Sequence, residues 1–358
     1  MKAIVAGCFS DENGNATAGD LLAAEMVCDW LDDLGCPYDV AVYQPFQGGV
    51  NLYSINPQDY TIAIYVCGPF GNRTGEADFT QNFSHCLTMG INLTMLEPVN
   101  EWNPFDILLE RDSSERVRAD MTFLSRPTLV PVVGVCLVES YGAPFEDLVY
   151  QTIKEFIASR PMAVIEIDTR LDTNRTGLRS SAEIESVLAR MDLVITTRLH
   201  GTVLSLKNGV PTISIDVAGD NLKIQKQTGE IGWPVIFVGN EITLEKLNQA
   251  FDYCLTVEAK AKAKECANRA KSMVLQMRQD FINAITQSAK SGYVNASSIS
   301  QDINFPIKHN KCDRIGVNLN VNLGWKKSFA EEFVEENNHW LGKIKVNSKQ
   351  LLHRFFRR

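Results

Sequence analysis

A chain of 358 residues with 45% apolar and 22% charged side chains can bury more than one core and is sized for two domains with an appendage. Its formal net charge of -8 gives no overall basic field, which argues against nucleic acid as a partner and leaves any small anionic substrate to be held by local cations. The nine cysteines are odd in number, scattered, and lack CxxC or metal-type spacing, so they read as thiols of a reducing compartment and no metal site is expected.

Residues 1–9 are apolar but end in Ser10-Asp11-Glu12 with no basic leader, and so read as a first strand rather than an export signal, with a cytoplasmic location expected. A strand over 2–6 precedes the turn Asn15-Ala-Thr-Ala-Gly19-Asp20 and a helix over 20–34. That turn is either a weak phosphate loop, with Gly19 and Asp20 as candidate substrate contacts, or a helix cap by Thr17 or Asp20. Strands over 39–43, 60–67 and 107–109 follow, and Ser114 or a neighbour is placed to cap a further helix. Arg111, beside Asp112 after the last of these strands, is either a cation facing the second domain or half of a salt bridge within its own domain.

A second series opens with a strand over 129–138. The apolar run there is interrupted by Pro131 and Gly134 and falls far short of the roughly 20 residues that span a bilayer. It continues with a helix over 145–159, a strand over 163–167, a helix over 181–190, a strand over 193–196, a helix from Gly201 to Lys207, a strand over 212–216, a short helix near Asn221 and a strand over 234–238. Alternating strands and amphipathic helices imply helices covering both faces of a mainly parallel sheet. The expected architecture is α/β, with two Rossmann-like domains over 1–126 and 127–292 facing a central cleft. One or two long helices over 243–289 close the second domain. A weakly structured tail over 293–358 ends in residues 342–358, which carry six Lys/Arg and no acid; it is either solvated or docks on an anionic membrane surface.

The candidate chemistry concentrates in Thr197-Arg198-Leu-His200-Gly201-Thr202, between the strand over 193–196 and the helix that follows. Open α/β sheets bind ligands at the carboxyl ends of their strands. A guanidinium offers a charged fork to carboxylate or phosphate, and an imidazole exchanges a proton near neutrality. An extended turn would set Arg198 and His200 on one side, about 7 Å apart. The helix start adds unpaired N–H groups through Gly201 and Thr202, with Gly201 expected to permit close approach of a ligand. Lys223, after the next strand, is a candidate second cation. The alternatives are a core histidine, an arginine paired with a carboxylate, and a solvated lysine.

The run Leu188-Ala-Arg-Met-Asp-Leu-Val-Ile-Thr-Thr-Arg-Leu-His-Gly201, with Asn208-Gly-Val-Pro211-Thr-Ile-Ser-Ile-Asp216 and Lys223, resembles the polysaccharide pyruvyl transferase family. Weaker likeness extends over most of residues 1–240 through Ala18-Gly19-Asp20, the Gly68 loop and Arg111-Asp112-Ser113. The resemblance implies a GT-B-like pair of domains, the first on the acceptor side and the second on the donor side. It also implies transfer of a pyruvyl group from phosphoenolpyruvate, as co-substrate and without a further cofactor, to a sugar, lipid-linked oligosaccharide or polysaccharide. On that basis Arg198 holds the donor's carboxylate or phosphate, His200 protonates its methylene carbon, and Arg111 and Lys223 are supporting cations. The spacing in Cys67-Gly-Pro-Phe-Gly71 and in Asn15-Ala-Thr-Ala-Gly19-Asp20 departs from the family pattern. The competing readings are a GT-B glycosyltransferase using a sugar nucleotide and a non-catalytic carbohydrate-binding relative.

Overall fold

The computed structural model describes residues 1–12, 14–72, 77–139, 142–218 and 222–290. The chain divides into two compact units, Met1–Leu129 and Val130–Arg358. The basic segment expected at 342–358 lies outside the described residues, as does Asn221.

In the first unit the chain runs β1 (Ala3–Gly7), α1 (Ala18–Asp33), β2 (Tyr38–Val40), β3 (Ile62–Val66), β4 (Pro69–Phe70), α2 (Ala77–Asn82), β5 (Leu87–Ile91), β6 (Thr94–Met95) and β7 (Ile107–Leu109). Five of these form one parallel sheet in the order β2-β1-β3-β5-β7, and β4 and β6 pair separately. The strand period of two is legible in β1: Ala3 and Val5 join the core under α1 with Ala23 and Val27, while Ile4 and Ala6 face the opposite core with Tyr65, Phe70 and Phe79. The sheet is therefore covered on both faces, as a parallel sheet requires.

The second unit repeats the plan with β8 (Val132–Cys136), α3 (Glu146–Ser159), β9 (Ala163–Glu166), α4 (Ser181–Leu188), β10 (Leu193–Thr196), α5 (Leu199–Lys207), β11 (Thr212–Asp216), α6 (Lys223–Ile231), β12 (Ile236–Val238), α7 (Leu244–Cys254) and α8 (Val257–Lys290). Its parallel sheet has the order β12-β11-β10-β8-β9. Leu193 and Ile195 point to one core, with Phe156, Ile213 and Trp233, and Val194 points to the other, with Ile184 and Leu188. In both units the chain builds its first two large-sheet strands outward in one direction and then returns to build in the other. That reversal leaves a crevice at the carboxyl ends of the inner strands, between β1 and β3 in one unit and between β8 and β10 in the other. No described helix is long and apolar enough to cross a membrane.

The expected α/β architecture and the long closing helices are present, with specific corrections. No helix begins at Ser114 or its neighbours; its hydroxyl accepts from the Val99 backbone N–H at 3.0 Å in an irregular segment. Strand β5 was not expected, because Leu87-Thr-Met-Gly-Ile offers a short, glycine-broken pattern. Helix α5 begins at Leu199, two residues before the expected Gly201.

Arg111 is held within its own unit. Its Nε lies 2.8 Å from Asp112, its Nη1 is 3.2 Å from Asp120, and its Nη2 donates to the Thr94 hydroxyl, so the salt-bridge alternative is the one realised. Burial opposes ionisation of Asp120, but hydrogen bonds from Thr122, Asn92 and Arg111 outweigh it and bring the carboxyl from its ordinary 3.8 to about 2. A depressed folded-state value means the stabilisation is present above the ordinary value and is lost as pH falls through the depressed one. Asp120→Ala is therefore expected to destabilise the protein at neutral pH by about 1–3 kcal/mol. Thermal melts of variant and parent should converge as pH falls from 3.8 towards about 2, whereas a gap independent of pH there would show that the charge is not responsible.

Candidate functional site

The crevice between β8 and β10 is closed by hydroxyl bridges. The Thr196 hydroxyl donates to the Cys136 carbonyl at 2.7 Å and accepts from the Arg198 backbone N–H at 3.0 Å. Thr197 accepts from the Val138 N–H at 2.8 Å, and the Tyr150 hydroxyl donates to the Val138 carbonyl. These contacts fix the strand ends and aim the first turn of α5. Arg198 is the N-cap residue, with extended backbone (φ −104°, ψ 136°), and no side chain caps the helix. The backbone N–H groups of Leu199 and His200 have no partner among the described residues. Such free donors at the positive end of the helix dipole favour an anion.

A cavity of about 380 Å³ opens here, lined in part by Thr169, Arg198, His200, Asp216 and Lys223. All its lining residues belong to the second unit. His200, in the first turn of α5, is exposed and makes no hydrogen bond among the described residues. Lys223 opens α6, is exposed, and has no ion-pair partner among the described residues. Both expected side chains therefore meet the same space.

Arg198 is placed differently from expectation. Because α5 starts at Leu199, Arg198 and His200 are not two steps along an extended turn. The guanidinium turns inward, its side chain only 13% exposed. Nε donates to the Leu137 carbonyl at 2.9 Å, and the buried Nη2 lies 3.5 Å from Asp168, an ion pair without hydrogen-bond geometry. Asp168, 2% exposed, also accepts from the Arg170 N–H at 2.9 Å, so one buried carboxylate organises the loop after β9 and the guanidinium together. Arg170 in turn reaches Glu139 at 2.6 Å and Asp172 at 2.7 Å, and those two carboxylates hold its proton more firmly than usual.

Asp216 and Asp168 were not singled out from sequence. Asp216 ends β11, is 2% exposed, and accepts through Oδ2 from the Ile224 N–H at 2.8 Å and the Gln225 N–H at 3.3 Å. It caps α6 from outside, since the N-cap residue Leu222 cannot. Its place at a strand's carboxyl end was the available sequence signal.

Four other candidates have structural roles. Gly201 is buried, and a Cβ there would lie 2.2 Å from the Thr196 hydroxyl oxygen, so its lack of a side chain serves helix–strand packing. Thr202 is fully buried, with its hydroxyl 2.9 Å from that of Ser214. Asp20 is engaged in a capping box, accepting from both the backbone N–H and the hydroxyl of Thr17 at 2.7 Å. Gly19 lies inside α1, where a Cβ would make only ordinary contact with Thr17. Among the described residues no cluster of three or more His, Cys, Asp or Glu could hold a metal ion.

Residues 119–219 match the family model of polysaccharide pyruvyl transferase, bearing out the resemblance over that stretch. The matched region contains every cavity-lining residue except Lys223. No curated protein matches the chain. Among solved structures it is similar to a calicheamicin glycosyltransferase (10% identity, 80% of this chain and 99% of that one, TM-score 0.31). It is also similar to the UDP-GlcNAc 2-epimerase of Methanocaldococcus jannaschii (11% identity, 77% and 100%, TM-score 0.29).

The packing role of Gly201 has a direct test. Gly201→Ala is expected to cost about 1–3 kcal/mol of stability, as overpacking does, and Thr196→Ala in the same chain should recover part of it. Unchanged thermal stability in Gly201→Ala would contradict that packing role.

Proposed function

We propose that this protein is a pyruvyl transferase, moving the pyruvyl group of phosphoenolpyruvate onto a sugar as a ketal bridging two hydroxyls. The acceptor is a sugar unit of a lipid-linked oligosaccharide or polysaccharide, and phosphoenolpyruvate is a co-substrate needing no further cofactor. One observation carries the reading. In the region matching the pyruvyl transferase model, joined by Lys223, a cavity at the strand crossover combines an imidazole, helix N–H groups and an ammonium that have no partner among the described residues.

The donor is a small, multiply charged ester, and each end has a complementary group. Lys223 and the N–H groups of Leu199 and His200 suit the phosphate, as a point charge and as oriented dipoles. The Arg198 guanidinium, at the cavity wall, suits the carboxylate. With Asp168 3.5 Å from Nη2, Arg198 acts more as a fixed donor than as an uncompensated charge. His200 is the acid that delivers a proton to the methylene carbon, producing an oxocarbenium-like centre open to a sugar hydroxyl. The exposed position of His200 leaves it free to regain that proton from water or product.

Calorimetric titration of the purified protein is expected to show binding of phosphoenolpyruvate in preference to uridine diphosphate. Lys223→Ala should weaken that binding about 10- to 100-fold, the loss of one charge-assisted contact. His200→Ala should retain binding while phosphate release falls about 100- to 10,000-fold. Preference for the nucleotide would favour a sugar-nucleotide glycosyltransferase, and phosphate release undiminished in His200→Ala would remove the assigned acid.

A further inference from the structure

We infer that Asp216 is the group that accepts the proton of the incoming sugar hydroxyl, a role that rests on the pyruvyl transfer proposed above. Its Oδ2 is fixed by the first N–H groups of α6, at 2.8 Å from Ile224 and 3.3 Å from Gln225. Its Oδ1 has no hydrogen-bond partner among the described residues, although the residue is 2% exposed and lines the cavity. An acceptor that takes no donor among the described residues, is held by two backbone N–H groups, and borders the same space as the imidazole is available to a ligand hydroxyl.

Capping alone does not account for a carboxylate here. One oxygen satisfies the helix end, and an amide oxygen would serve it as well. The second oxygen instead places a negative charge in a cavity whose other polar features favour an anion, which weakens donor binding. A base for the second substrate gives that charge a use. The anionic donor then lies towards Lys223 and the α5 N-terminus, with the acceptor hydroxyl between C2 of the donor and Asp216.

The protons and electron pairs balance on this assignment. His200, as imidazolium, protonates C3, whose bond to C2 supplies the electron pair, so that the methylene becomes methyl and C2 becomes electrophilic. The first hydroxyl oxygen bonds to C2 and its proton passes to Asp216. The C2–O bond to phosphate breaks with its electron pair on the phosphate, which takes the proton from Asp216 and leaves as hydrogen phosphate. The second hydroxyl oxygen bonds to C2, closing the ketal, and its proton restores the imidazolium of His200.

Asp216→Asn keeps an oxygen for α6, so its melting temperature should remain close to the parent's and its affinity for phosphoenolpyruvate unchanged or tighter. Phosphate release is measured with methyl hexopyranosides, which carry adjacent hydroxyls, as acceptor probes. The expected loss is about 100- to 10,000-fold, the usual contribution of a general base. Asp216→Ala should regain part of its rate with added formate, a gain that restored capping alone would not produce in a protein already folded. Asp216→Asn within threefold of the parent, or no gain with formate, overturns the inference while leaving the donor reading intact. A parent protein that binds no phosphoenolpyruvate, or that binds it but neither releases phosphate with these diols nor exchanges its C3 hydrogens in heavy water, overturns the donor reading and this inference with it.

Discussion

All strands of a parallel sheet end on the same edge, and in the second unit this constraint gathers side chains that lie far apart in sequence. Val138 after β8, Thr197 to His200 after β10 and Asp216 at the end of β11 reach one cavity because the three strands run side by side in the same direction. The order β12-β11-β10-β8-β9 sends successive connections away from each other at β8 and β10, which leaves room at that edge. Thr196 and Thr197 then tie the ends of the two strands together. The positions of Arg198 and His200 follow from that closure, since the hydroxyl of Thr196 holds the backbone N–H from which α5 begins.

Charge in the cavity is arranged by how deeply each group is buried. A buried charge without a partner costs several kcal/mol, so the buried members carry their compensation with them: Arg198 has the Leu137 carbonyl and Asp168, and Asp216 has the first turn of α6. The exposed members, His200 and Lys223, need none and have no partner among the described residues. This division separates groups that fix geometry from groups that respond to substrate. It also explains why Arg198, the most prominent residue of the sequence motif, is committed to the Leu137 carbonyl and Asp168.

The strand that carries the site was legible in sequence because Leu193-Val-Ile-Thr is a continuous apolar run with polar residues at both ends, the pattern of a doubly covered strand; β11 was equally plain. His200 and Lys223 could be placed from those two strands alone. The start of α5 was misjudged because Arg198-Leu-His offers no Ser, Thr, Asp or Asn cap, and glycine was taken as the first helical residue; the cap is a backbone extended by its bond to Thr196. Sequence does not show which side of a helix faces the sheet, so the packing of Gly201 against Thr196 and the hydroxyl contact of Thr202 with Ser214 are facts of the fold. Arg111 and Asp20 show the same limit, since each had a carboxylate or hydroxyl partner within reach that only the fold could choose. The part of Asp216 facing the cavity depends on which of its two oxygens α6 claims, a fact of three-dimensional geometry.

The most direct measurement is a crystal structure of the protein with phosphoenolpyruvate bound. The donor is expected in the second unit's cavity, with its phosphate at Lys223 and the α5 N-terminus and its C3 within reach of the His200 ring. A donor bound elsewhere, or seated there with His200 turned away from C3, would contradict that expectation.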